Sequence, residues 1–459
     1  MSFEANSRRP TVWRQLGLVA VLLFALPSAR AAGPADWKFD FGPGTAAPGY
    51  TSVPPATAYT DQLGYGFDFG SVVTGVDVGG AEPLQAHAVA GDQPFFFSVK
   101  VPEGNYRVTV TLGDAAEATA TTVKAESRRL MLEKVVTAPG EFTTRMFTVN
   151  VRDFHLPPPP KNAPGGDQVL LDGWEKANGP AGLVLDWDDK LTLEFDPAAG
   201  GRVCLEAVEI TRDDGLPTVF LAGDSTVTDQ PREPTTSWGQ MLPRFFRPGV
   251  AVANHAESGE TLKSFLSELR LAKILSQMKP GDYLFIQFAH NDEKKSWPQT
   301  YVEARTTYEA YLKVYIAEAR LRGATPVLVT PMQRRDWGPD GKILNSHGDY
   351  PDAMREVAKT ENVALIDLDR MSRAFYEALG EKEAPVAFNA HGRDTTHHSA
   401  YGAYELAKCV AQGIRDNHLA LAADLAEDFT GFDPAHPDAP AGFDLPASPQ
   451  ITTERPRGN

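Results

Sequence analysis

Two regimes of hydrophobic patterning divide the chain near residue 213. Before it, apolar positions come in short runs that alternate with polar ones. Phe95-Phe96-Phe97-Ser98-Val99-Lys100-Val101 leads through the turn-forming Pro102-Glu103-Gly104-Asn105 into Tyr106-Arg107-Val108-Thr109-Val110-Thr111, with a period of two. Similar runs lie at 145–151, 191–195 and 203–210, and no long helical period interrupts them. Many short strands joined by Gly/Pro turns predict an all-β sandwich over residues 32–212. Pro157 to Pro160 have no N–H to give a ladder, so they belong to a loop or an edge.

The turn residues Asp213-Asp214-Gly215-Leu216-Pro217 open the second regime. Apolar runs at 218–222, 250–254, 283–288, 326–330 and 363–367 read as strands. Helical periods fall between them and after them, at 238–246, 261–277, 301–322, 351–360, 368–379 and 401–416. Five apolar strands alternating with helices predict a parallel sheet covered on both faces, within a domain spanning 213–422. The Pro-rich, aperiodic tail 423–459 is either an extended strap over the domain or disordered.

The first residues carry a separate message. Arg8 and Arg9 precede an apolar stretch from Leu16 to Leu26, and Ala29-Arg30-Ala31 supplies a small-x-small cleavage pattern. Residues 1–31 therefore read as a signal peptide, and the expected location is secreted or periplasmic. Pro10-Thr11 continues a twin-arginine pattern poorly, which favours ordinary export. No later stretch reaches membrane-spanning length. A formal net charge of −16 argues against nucleic acid as a partner. The two cysteines, Cys204 and Cys409, fall in different domains and are expected as separate buried thiols.

Chemistry-bearing residues cluster where open α/β sheets bind ligands, just past strand ends. Gly223-Asp224-Ser225-Thr226 follows the first strand, Asn254-His255-Ala256-Glu257-Ser258-Gly259 the second, and His290-Asn291-Asp292 the third. Asp394-Thr395-Thr396-His397-His398 precedes the last helix. Taken singly these are an N-cap, a turn glycine, a strand-end turn and a surface histidine. As an ordered set they supply a nucleophile, Ser225, a base, His397, and an orienting carboxylate, Asp394.

The four blocks together resemble the SGNH (GDSL) hydrolases. More narrowly, Ser237-Trp238-Gly239-Gln240, Asn254-x-Ala256-x-x-Gly259 and Gln287-Phe288-x-His290-Asn291-Asp292 are similar to the rhamnogalacturonan acetylesterase branch. The resemblance covers residues 218–417 and implies a flavodoxin-like fold and an oxyanion hole built from the N–H groups of Ser225 and Gly259 and the amide of Asn291. It implies a carbohydrate esterase that removes acetyl groups from plant cell-wall polysaccharide, most of all rhamnogalacturonan in pectin, without a cofactor. Glu260-Thr261 stands where the branch often has Arg-Ser, and His290 where the wider superfamily usually has glycine, so specificity is the open point. The first domain resembles the galactose-binding-like sandwiches of secreted carbohydrate enzymes, and is expected to add binding surface for a long chain.

Candidates for substrate contact are Trp238, His290, Arg334, Arg335 and Trp337, the arginines as partners for a uronate carboxylate. Trp37, Tyr50, Tyr59, Tyr65 and Trp174 are aromatic candidates for sugar stacking in the first domain. Three alternatives stand beside this reading. One is an esterase or lipase acting on xylan acetyl groups or lipid, and another is a polysaccharide-binding protein with a dead hydrolase domain. The third is a zinc or manganese site from His391, Asp394, His397 and His398, which leaves Ser225, Gly259 and Asn291 without a role.

Overall fold

The computed structural model describes residues 36–77, 82–171 and 185–451. The signal-peptide reading and Trp174 lie outside the described residues. From Asp36 onward a mainly antiparallel sandwich comes first, with one parallel pair between Asp36–Phe41 and Thr51–Val53. One of its sheets has seven strands and the other five. The alternation does its work residue by residue. Phe95, Phe97 and Val99 enter the sandwich core, while Phe96 turns to the other face and meets Phe69 edge-on. Trp37 packs edge-on to Tyr106, and the Tyr50 hydroxyl donates to Glu209, so these two of the expected stacking candidates are held by their own domain.

The second domain is built on a five-stranded parallel sheet. Its spatial order places Thr218–Gly223 between Ala251–Asn254 on one side and Tyr283–Gln287 on the other, followed by Thr325–Val329 and Ala364–Ile366. In chain order this is 2-1-3-4-5, the flavodoxin-like arrangement, whose crevice opens where the winding reverses beside the first strand. Alternate residues of that strand feed two cores. Val219 and Leu221 pack with Trp238, Tyr376 and Leu406 on one face, and Phe220 and Ala222 pack with Phe265, Leu312 and Met354 on the other. Leu130 of the sandwich is buried within the first of these cores.

One predicted helix is broken. The stretch expected to run unbroken to Gln277 forms Leu262–Ser267 and Arg270–Gln277, parted by Leu269 at φ 65°. The cause lies outside the segment. The Leu170 N–H donates to the Glu268 carbonyl at 3.0 Å, so the connection from the sandwich takes an acceptor exposed by the break. The tail resolves as a strap. Phe429, Phe432, Phe443 and Leu445 pack on the α/β core, and farther on Lys124 of the sandwich donates to the Pro446 carbonyl and Ser448 hydroxyl, each at 2.8 Å. Cys204 and Cys409 are buried, separate thiols. No helix among the described residues is long and apolar enough to cross a membrane.

Candidate active site

The first strand ends at Gly223, where a side chain has no room: an added Cβ would lie 2.6 Å from Val227 and 3.0 Å from the Gln287 carbonyl. The chain then turns with Asp224 as its anchor. Its Oδ1 accepts from both the N–H and the hydroxyl of Thr226, at 3.0 and 2.7 Å, which leaves Ser225 at the crevice. From the other side, Ser399 caps Ala400–Asp416 and fixes the exit of the 394–398 loop. Within that loop Asp394 Oδ1 accepts the N–H groups of Thr396 and His397 at 2.8 and 3.0 Å.

These two turns bring three predicted residues into one line. Ser225 Oγ lies 2.8 Å from His397 Nε2, and His397 Nδ1 lies 2.8 Å from Asp394 Oδ2. Burial would raise the Asp394 carboxyl, but the hydrogen bonds and charge of His397 and the Thr396 N–H hold it below the usual carboxylate range. An anion there fixes the proton on Nδ1 and leaves Nε2 as the acceptor facing the serine.

The second and third blocks close around the same turn. The Glu257 N–H donates to the Gly223 carbonyl at 3.1 Å, and the Asn291 amide donates to the Glu260 carbonyl at 3.0 Å. Gly259, at φ +85°, occupies the bend between them, where a side chain would be strained. A cleft of about 300 Å³ opens beside it, bounded by Leu170, Gly259, Glu260, Glu268, Trp297 and Thr300. Trp297, one aromatic in a polar loop with no periodic signal to mark it, is 37% exposed there with Lys294 Nζ 4.0 Å from its ring centre.

Several expected contact residues have other duties. Trp238 is 1% exposed and donates its Nε1–H to Gln287 Oε1 at 2.8 Å, so it packs the core instead of stacking on a sugar. His290 is buried behind the serine, with Nδ1 3.3 Å from Asp224 Oδ2 and its ring edge-on to His347. Burial pushes its imidazole down to about 4, against the pull of Asp224. Arg334 pairs with Glu293 at 2.7 Å and donates to the carbonyls of Ser346 and His290. Arg335 donates to the Gly392 carbonyl and lies over the Phe388 ring, bracing the segment that carries Asp394. Trp337 is half-buried against the core.

His398 faces away from its neighbour in sequence. It is buried, its Nε2 meets the Tyr376 hydroxyl at 2.7 Å, and burial pushes its pKa down to about 3. Of the metal alternative's four residues, the His391 side chain lies outside the described residues, and His398 is turned away from Asp394 and His397 toward Tyr376. Among the described residues no group of three or more His, Cys, Asp or Glu side chains is placed to hold an ion.

Residues 221–403 match the GDSL-like Lipase/Acylhydrolase family, and residues 37–157 match the β-agarase/YXIM esterase-like, galactose-binding domain-like family. Rhamnogalacturonan acetylesterase RhgT of Bacillus subtilis (strain 168) is 42% identical over 216 residues, covering 91% of that relative and 44% of this chain. The chain belongs to the GDSL-like lipase/acylhydrolase family. It is an esterase of that family. The probable rhamnogalacturonan acetylesterase YesY of the same organism is likewise 42% identical, over 213 residues that cover 98% of it and 46% of this chain. The uncharacterized esterase YxiM, also from B. subtilis, is 26% identical over 424 residues, 99% of its length and 89% of this chain. The first two relatives are thus matched by less than half of this GDSL esterase, while YxiM is matched along both domains.

Proposed function

We propose that the protein removes O-acetyl groups from a plant cell-wall polysaccharide of the rhamnogalacturonan type, through an acetyl-serine intermediate. The observation that carries this reading is the 2.8 Å contact between Ser225 Oγ and His397 Nε2, backed by the 2.8 Å contact from His397 Nδ1 to Asp394. In the first step Ser225 Oγ attacks the acetyl carbonyl as His397 takes its proton, and the imidazolium is stabilised by the Asp394 carboxylate. Negative charge builds on the carbonyl oxygen, and the Ser225 and Gly259 N–H groups with the Asn291 amide are its donors. His397 returns the proton to the departing sugar hydroxyl. Water then enters and gives a proton to His397 as it attacks the acetyl carbonyl, and His397 returns that proton to Ser225 Oγ as the ester bond breaks and acetate leaves.

The substrate class rests on the two relatives whose names carry that activity. The cleft beside Gly259 is where we place the sugar. Leu170 and Trp297 offer apolar surface there, while Glu260 and Glu268 offer acceptors to neutral hydroxyls. Export to the cell exterior or periplasm is part of the same proposal, on the pattern of residues 1–31. The test is acetate release from acetylated rhamnogalacturonan, acetylated xylan and a lipid ester by the parent and by Ser225→Ala. Release from the first alone, lost in the variant, supports the proposal. Preference for another ester moves the substrate, and release by Ser225→Ala removes the mechanism.

A further inference from the structure

The sandwich reaches into the α/β domain through the tip of one hairpin, Glu126-Ser127-Arg128-Arg129, between the strands Thr119–Ala125 and Arg129–Thr137. Glu126 and Arg128 both take left-handed backbone, at φ 54° and 63°. Non-glycine residues hold that conformation where surrounding contacts impose it, often at functional sites. Here the contacts land on backbone atoms and short side chains of the segment from Gln230 to Thr236, which links the two halves of the site.

Arg128 is buried, and its guanidinium works as a fork. One nitrogen, Nη1, donates to the carbonyls of Gln230 and Thr235 at 3.0 and 2.9 Å. The other, Nη2, donates to Thr236 Oγ1 at 3.2 Å and pairs with Glu233 at 2.5 Å. Each prong leads on to one partner of the Ser225–His397 contact. Gln230 returns its side-chain amide to the Ser225 carbonyl at 2.6 Å. Thr236 gives its N–H to the His398 carbonyl at 2.9 Å, in a bridge one residue from His397. The Ser127 carbonyl adds a second tie, accepting from Gln240 Nε2, which also donates to the Gln230 carbonyl.

We propose that Arg128, a residue of the sandwich, is a positioning residue for the esterase reaction: it holds the Ser225 loop and the His397 loop in register. The inference rests on the Ser225–His397 reading above. A planar guanidinium with separate donors satisfies both prongs together, whereas a lysine ammonium is a single point of charge on a shorter fork-less stem. Displacements near 1 Å between a nucleophile and its base cost about 10²-fold in rate. The sandwich therefore acts on chemistry, and its loss of contact is felt in turnover before it is felt in sugar binding.

The experiment uses the full-length chain and 4-nitrophenyl acetate, a substrate with no sugar to bind. Arg128→Lys is expected to lower kcat by roughly 10–100-fold with KM within about twofold of the parent. Its inactivation by an organophosphonate, which reports Ser225 reactivity directly, should slow by the same factor. Millimolar guanidinium should restore part of the turnover of Arg128→Ala. Arg202→Ala, which removes a surface pair with Glu117 at the far side of the same domain, should leave all three readouts unchanged. Unchanged kcat in a folded Arg128→Lys overturns the proposal, as does a loss confined to KM or loss of the folded state in both variants. Ser225→Ala in the same assay separates the two claims. If it stays active the serine reading has failed, and if it is dead while Arg128→Lys is fully active only the positioning role has failed.

Discussion

Arg129 of the sandwich and Asp229 of the α/β domain form an ion pair sealed from solvent, with Nε 2.9 Å from Oδ2 and both side chains at most 1% exposed. Asp229 lies four residues after Ser225. Its other oxygen accepts from Asn254 Nδ2 at 2.8 Å, and the same amide donates to the Val227 carbonyl at 2.7 Å. Arg152 and Asp186, also from the sandwich, complete the cluster. An ion pair of this kind fixes geometry more than it adds stability, because each charge has lost its water. What it fixes here is the turn that presents the nucleophile.

Removing one partner of that pair strands the other. Arg129→Met leaves Asp229 and Asp186 facing a single remaining cation, Arg152, and breaking a buried pair in this way costs roughly 3–5 kcal/mol. Denaturant unfolding should show that loss. Arg129→Met combined with Asp229→Leu should lose less than the sum of the two single variants, since the pair is removed whole. Strict additivity would mean that the pair does not couple the two domains.

The same interface leads to a different expected outcome for removal of the first domain. If the sandwich only added surface for a long chain, its removal would harm polymer turnover more than turnover of a small acetyl ester. Deleting residues before 213 strips Arg128, Arg129 and Arg152 from the nucleophile turn, and with Leu130 and Trp187 gone it bares the α/β core that buries Leu130 and the His255 ring that Trp187 meets edge-on. We expect the remaining fragment to lose cooperative unfolding and to lose activity on both substrates alike. A stable fragment with full activity on 4-nitrophenyl acetate would return the sandwich to the role of a separate binding module.

How legible all this was in the chain depends on what kind of interaction decided each part. The five apolar runs of the sheet and the ordered blocks at their ends were readable because burial and strand-end position are local and periodic properties. The inward direction of Trp238 is not legible, because the sequence Ser-Trp-Gly-Gln marks a helix start but not which way the indole faces. Gly239 decides it: an added Cβ would lie 2.1 Å from the Val227 carbonyl, so the helix is pressed against the nucleophile turn and its tryptophan is inside. The break at Leu269 and the grip of Arg128 depend on partners a hundred residues away. In the sequence, Glu126-Ser127-Arg128-Arg129 is a charged hairpin tip like any solvated one.

Asp394→Asn separates orientation from stability. Without the carboxylate the imidazole loses both its tautomer control and the stabilisation of its charged form, so kcat should fall on the order of 10²–10⁴-fold with Ser225 intact. The folded-state pKa of Asp394 lies below its unfolded value near ~3.9, so its contribution to stability is complete above that value and is lost as pH falls through the folded one. The stability gap between parent and Asp394→Asn should therefore be constant from about pH 5 upward and shrink on acidification. A gap that instead changes between pH 6 and 8 would assign the linkage to another group.

The adjacent histidines provide the sharpest contrast, because they share a sequence neighbourhood and nothing else. His397 faces Ser225, and His398 faces the Tyr376 hydroxyl inside the core. His397→Ala should abolish turnover at little cost to folding. His398→Ala should leave the catalytic line in place but strand the buried tyrosine hydroxyl, at roughly 1–3 kcal/mol. The two should also differ with pH. The folded pKa of His398 is pushed down to about 3, whereas an unfolded histidine titrates near ~6.5, so the unfolded chain takes up a proton first as pH falls. The stability that neutral His398 contributes is full above ~6.5 and declines through the window between ~6.5 and about 3. Replacing it with leucine should flatten that part of the pH–stability curve, measured by denaturant unfolding at a series of pH values. If His398→Leu leaves the slope untouched while His397→Ala flattens it, the buried neutral histidine is the wrong one of the pair.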